Sequence, residues 1–178
     1  MRATGSAVEA CSLPGPALLA RYASAGGYTD CYRAEVAGSV SLAAFVTSFY
    51  TGGLFRVERF VLSALLSRPS TDAQARQLAA GEIAEFSAWR VEARTADQLL
   101  MRPIDSRTRS WLMVAPAGPA EAPTTLLYFG SAVVPIVDRS TGQTRASWLF
   151  TALLGFHQHY SRLLLGSARA RLARPGSH

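Results

Sequence analysis

Residues 147–165, SWLFTALLGFHQHYSRLLL, limit what the chain can fold into more than any other stretch. Leu149, Phe150, Leu153, Leu154, Tyr160 and Leu164 recur at helical spacing and form one apolar stripe, with His157 inside it. Such a helix gains its stability from packing and therefore needs a partner surface. The preceding chain reads as helices and then strands with apolar faces, which would supply one. At 178 residues the simplest reading is one domain, able to bury roughly 70% of its unfolded surface without staples. Hydrophobic residues at 49% against 17% charged exclude a disordered chain and fit a filled or ligand-lined interior.

A net charge of +6 raises the question of nucleic acid. All 18 basic residues are arginine, and Arg21, Arg33, Arg56, Arg59, Arg90 and Arg94 are scattered where a phosphate-binding face needs clustered charge. No nucleic-acid partner is expected. Cys11 and Cys31 have neither metal nor redox spacing and read as reduced thiols. The first residues lack the uninterrupted apolar core of a signal peptide. The longest apolar run, 126–137, is interrupted by Gly130 and Pro135 and falls short of the ~20 residues of a spanning helix. The expected compartment is the cytoplasm.

In chain order, residues 1–27 read as an N-terminal extension with a Pro14-Gly15-Pro16 turn, a short helix over 17–22 and a Gly26-Gly27 break. Residues 28–36 alternate as a strand with Tyr28, Asp30, Tyr32 and Ala34 on one face. Ser41 caps a helix burying Leu42, Phe45, Val46, Phe49 and Tyr50, and Gly52-Gly53 ends it. A second helix over 54–66 completes a hairpin, and Thr71 with Gln74 opens a third through about Ile83. Strands follow over 87–94, with Trp89, Val91 and Ala93 opposite Arg90, Glu92 and Arg94, and then over 98–102, 108–115 and 124–136. The last is apolar on both faces, so it is either central and covered twice or part of a homodimer contact. The domain is expected to span 28–166, with 167–178 a basic flexible tail.

Five segments carry a resemblance: YTDCYR from Tyr28, FYTGGLFRVERFVL, AWRVE, TRSWLMV and FHQHYSRLLL. On these, and on the order of elements, the chain resembles the helix-grip superfamily of START lipid-transfer domains, polyketide cyclases and Bet v 1-like plant allergens. More narrowly, it resembles the uncharacterised bacterial domain-of-unknown-function 2867 family. The resemblance implies an α+β fold in which a curved antiparallel sheet grips a long C-terminal helix, with an inserted helical hairpin and a cavity between sheet and helix.

No nucleophile elbow, P-loop, dinucleotide fingerprint, HExxH or zinc-knuckle spacing occurs in the sequence, so no cofactor and no metal is expected. His157 and His159 stand at i and i+2 of a helix and point apart, which rules out a shared ion; His159 falls on the polar side. His157 shares a face with Leu153 and Tyr160. It is either a core-edge histidine bonded to a neighbour or a polar handle in an apolar pocket. Asp30 is either solvated near a strand end or a paired inward carboxylate. If Trp111 and Met113 point inward, Arg109 does too. It would then pair with Asp30 or receive an anionic ligand group, unless it lies solvated at the sheet rim. Tyr32, Trp89, Trp111 and Tyr128 would be wall residues.

Three functions follow. The first is binding of a hydrophobic or amphipathic small molecule, of lipid, quinone or polyketide type, without chemistry. The second is a cyclase or isomerase with His157 as acid/base and Arg109 or Tyr160 stabilising negative charge. The third is an interaction or membrane-surface module without a ligand, using the arginine-rich tail, which could meet an anionic membrane surface, and the apolar strand over 124–136.

Overall fold

Period-two alternation in the strand segments builds one antiparallel sheet. A computed structural model of the chain describes residues 7–53, 55, 70–104, 107–134 and 148–174, with backbone only over 148–157. The strands are β1 (Glu9–Ala10), β2 (Tyr28–Ala37), β3 (Glu85–Phe86), β4 (Trp89–Arg94), β5 (Gln98–Pro103), β6 (Thr108–Ala117) and β7 (Thr124–Val133). Their order is β1-β2-β7-β6-β5-β4-β3, in a seven-stranded curved sheet. The last strand in the sequence, β7, lies between β2 and β6, paired from Tyr28↔Val133 to Ala37↔Thr124 and from Thr108↔Val133 to Ala117↔Thr124. The helices are α1 (Ala20–Ser24), α2 (Leu42–Tyr50), α3 (Asp72–Ala80) and α4 (Trp148–Leu172). The predicted helix over 54–66, apart from Phe55, lies outside the described residues.

Both faces of the sheet are covered. On one face Tyr32, Ala34, Leu99, Met101, Leu112, Leu127 and Phe129 pack against Phe45, Val46 and Phe49 of α2, Leu78 of α3, and Leu164, Leu165 and Ala168 of α4. On the other, Cys31, Leu100, Trp111, Met113, Tyr128 and Ala132 form a second, smaller cluster under Ala17 and Leu19. The two-sided apolarity of the last strand is thereby accounted for within one chain. The N-terminal extension supplies the second cover, a role its Pro/Gly-rich sequence does not announce.

Gln98, only 4% exposed, clasps that cover to the sheet. Its Oε1 accepts from the Leu18 backbone N–H and from Trp111 Nε1, both at 2.9 Å, and its Nε2 donates to the Pro16 carbonyl at 3.0 Å. One buried amide thus satisfies three groups that would otherwise be desolvated without partners. Leu19 seats on bare backbone at Gly130, where an added Cβ would stand 2.7 Å from the Asp30 carbonyl oxygen and 3.0 Å from Leu19 Cδ2.

The helix ends follow the sequence signals. Ser41 Oγ accepts from the Ala44 N–H at 3.1 Å, and Thr71 with Gln74 forms the reciprocal capping box. α3 stops at Gly81 in the left-handed region, short of Ile83. The Arg94 guanidinium donates to the Leu78 and Ala79 carbonyls at the end of this helix, where a cation is favoured. At the other end of the chain, α4 continues to Leu172, so the free tail expected from residue 167 is corrected. The apolar stripe extends through buried Leu165 and Ala168 to Leu172, and Arg169 Nε donates to the Glu35 carbonyl at 2.7 Å.

A candidate ligand cavity between sheet and helix

Alternation along β6 and β7 turns Ser110, Phe129 and Ser131 toward the helices. There they floor a cavity of about 210 Å³ walled by Phe49, Phe55 and Trp89 and roofed by Tyr160, Ser161 and Leu164 of α4. The floor is polar along one row across three strands, because Asp30, Ser131 and Ser110 are direct cross-strand partners. Asp30 Oδ1 accepts from the Ser131 N–H at 2.9 Å and from its hydroxyl at 2.6 Å. Asp30 is therefore an inward carboxylate, bonded to Ser131 and to the Tyr32 hydroxyl.

Tyr160, Ser161 and Leu164 face the cavity because they stand at i, i+1 and i+4 of α4. Ser161 is fully buried, and its Oγ has no hydrogen-bond partner among the described residues. An unpaired buried hydroxyl costs about 1–3 kcal/mol. The site is thus apolar walls with the unpartnered Ser161 hydroxyl in its roof and a hydroxyl-lined floor, an arrangement that can hold an apolar body and orient one polar atom.

Beside it, α4 is fastened to the first half of β2. Gln158 Nε2 donates to the Tyr28 hydroxyl at 3.0 Å, and the Arg162 guanidinium lies 5.3 Å from the Tyr32 ring centre. Burial, with the nearby Asp30 charge adding to it, pushes the Tyr32 phenol up to about 12. Burial also raises the Tyr28 phenol. Both stay neutral hydroxyls at physiological pH.

The predicted site residues separate into two groups. Asp30, Tyr32, Trp89 and Tyr160 lie on the helix face. Trp111 and Tyr128 lie in the cluster on the opposite face, and so cannot wall a space between sheet and α4. They do share a face with Arg109, as the parity argument requires, but it is the face under the N-terminal cover. Arg109 borders the cavity, while its guanidinium is engaged elsewhere: Nε lies 2.5 Å from Glu92 and 2.9 Å from the Tyr22 hydroxyl, and Nη1 donates to the Thr108 carbonyl. The anticipated Asp30–Arg109 pair is replaced by Glu92–Arg109, with Tyr22 and Arg21 also bonded to Glu92. His159 is exposed, as expected, and the side chains of Leu153 and His157 lie outside the described residues.

Asp30 shares the helix face with Ser131 and Ser110, whereas Glu92, next to helix-side Val91, turns to the face of Arg109; a β-bulge follows at Glu92. Val91 pairs with Met101 and Ala93 with Leu100, leaving Glu92 as the extra residue. Trp89 and Val91 pack with the helix-side core and Ala93 with the opposite cluster, so the strict alternation expected over 87–94 breaks there. Ser110, Ser131 and Ser161 are not among the residues the sequence singles out. The available signal was a lone hydroxyl in an otherwise apolar run, as in FGSAV and HYSRLLL.

Among the described residues no cluster of three or more His, Cys, Asp or Glu side chains could hold a metal, and no helix is long and apolar enough to cross a membrane. Comparison with protein-family models, curated proteins and solved structures finds no match. The cavity's chemistry is accordingly the ground for a functional reading.

Proposed function

We propose that this protein is a helix-grip binding protein that holds a small, largely apolar molecule with one hydroxyl or carbonyl group between its sheet and α4. The observation that carries this reading is the fully buried Ser161 hydroxyl, unpartnered among the described residues, on the roof of an apolar cavity. At about 210 Å³ the space lies below the ~300–1,000 Å³ of drug-sized sites. That size favours a single substituted ring or short chain over a whole lipid. The described lining offers orientation, with its arginine already paired to Glu92, and binding without bond-making chemistry is what these groups support.

Thermal shift with p-cresol as the probe, beside native mass spectrometry of the freshly purified protein, tests this. Probe at a hundredfold over its Kd should add about 2.7 kcal/mol, a rise of roughly 5–11 °C for a chain of this size. Ser161→Ala should weaken p-cresol about tenfold, the loss of one hydrogen bond, and leave toluene binding unchanged. Equal weakening of both probes, or no saturable shift with either, would refute the assignment.

A further inference from the structure

Beneath the N-terminal cover, two thiols twenty residues apart meet. Continuing the β1–β2 ladder one step beyond Ala10↔Tyr32 brings Cys11 opposite Cys31, and the Cys11 N–H donates to the Cys31 carbonyl at 2.9 Å. The Cys11 thiol in turn donates to the Cys31 sulfur across 3.4 Å. Both are free cysteines, Cys31 buried and Cys11 partly exposed. Directly opposed, hydrogen-bonded residues of an antiparallel pair have Cα atoms about 5.5 Å apart, inside the roughly 4.4–6.8 Å span that a disulfide bridges without moving backbone.

The geometry points to Cys11 and Cys31 as an oxidative modification site: a cross-strand dithiol that a low-molecular-weight disulfide converts into an intramolecular disulfide closing around the N-terminal cover. The partly exposed Cys11 thiolate attacks one sulfur of the external disulfide, forming a mixed disulfide and expelling one thiolate. Cys31 then loses its proton to solvent and attacks Cys11 Sγ, expelling the second thiolate. Two protein thiols are oxidised by two electrons while one external disulfide is reduced to two thiols. Burial raises the Cys31 thiol, which makes Cys11 the first to react and Cys31 the resolving group.

The closed loop would contain Ala17 and Leu19, which cover the second core cluster. Restricting it in the unfolded chain should raise the melting temperature by roughly 6–12 °C.

The test incubates the reduced full-length protein with glutathione disulfide and follows intact mass after acid quenching. The expected product has lost two hydrogen masses, resists alkylation when denatured, yields a Cys11–Cys31 linked peptide and is restored by dithiothreitol. Cys31→Ala should instead accumulate a single glutathione adduct at Cys11. A stable glutathione adduct on the wild type, disulfide-linked dimers, or two thiols still open to alkylation after denaturation would each overturn the proposal.

Discussion

Replacing Gln98 with leucine removes three hydrogen bonds at once while keeping an apolar side chain of similar length at the same buried position. The Leu18 N–H, Pro16 carbonyl and Trp111 Nε1 all lose their partner. Left buried, each would cost about 1–3 kcal/mol, so the full penalty is roughly 3–9 kcal/mol. The protein has a cheaper route, because lifting residues 16–20 off the sheet returns the Leu18 and Pro16 groups to water. That route exposes Leu19, fully buried in the intact protein, at about 1.5–3 kcal/mol, and uncovers the indole of Trp111. The expected loss is therefore about 3 kcal/mol, a fall in melting temperature of roughly 6–12 °C. It should be accompanied by fast hydrogen exchange at the Leu18 amide and a red-shifted tryptophan emission. Gln98→Leu protein with wild-type melting and a protected Leu18 amide would refute the clasp.

Gly130→Ala should destabilise by about 1–3 kcal/mol in urea denaturation, since the new Cβ meets the Asp30 carbonyl oxygen, which the β2–β7 ladder holds in place; unchanged stability would contradict the close approach of Leu19 and β7. Glu92→Gln should cost about 1–3 kcal/mol, because Arg109 and Glu92 are only 16% and 17% exposed, and the loss should vanish in an Arg109→Met background. The Tyr32 phenol, raised from 10 to about 12, keeps its proton in the folded state after the unfolded chain has lost it. Its contribution is whole below pH 10 and is lost as pH rises through 12, about 2–3 kcal/mol in all. Tyr32→Phe should flatten that part of the alkaline decline in the urea midpoint; an identical decline in both proteins would count against a buried phenol.

Most elements could be read from the chain because their signals are local. Ser41 and the Thr71–Gln74 box mark helix starts, and alternation marks β2, β6 and β7. What escaped reading depended on distant partners. Parity correctly groups Arg109, Trp111 and Met113, but nothing in that strand says which face the helices take, since Ser110, Leu112 and Val114 are nearly as apolar. The choice is settled by Leu19 and by Gln98, whose Oε1 accepts from the Leu18 N–H 80 residues earlier in the chain. The bulge at Glu92 has no glycine or proline to announce it. The end of α4 has the arginine-rich composition of a solvated tail, whereas Arg169 finds a carbonyl on β2.

A small molecule held as proposed lies on the face of the sheet beneath α4 and not on the face beneath the N-terminal cover. Intermolecular nuclear Overhauser effects from bound p-cresol measure this directly. Cross-peaks to Phe129, Tyr160 and the Leu164 methyls are expected, with none to Trp111 or Met113. Cross-peaks to the Trp111 and Met113 side would contradict it, as would saturable binding with no contact to Leu164.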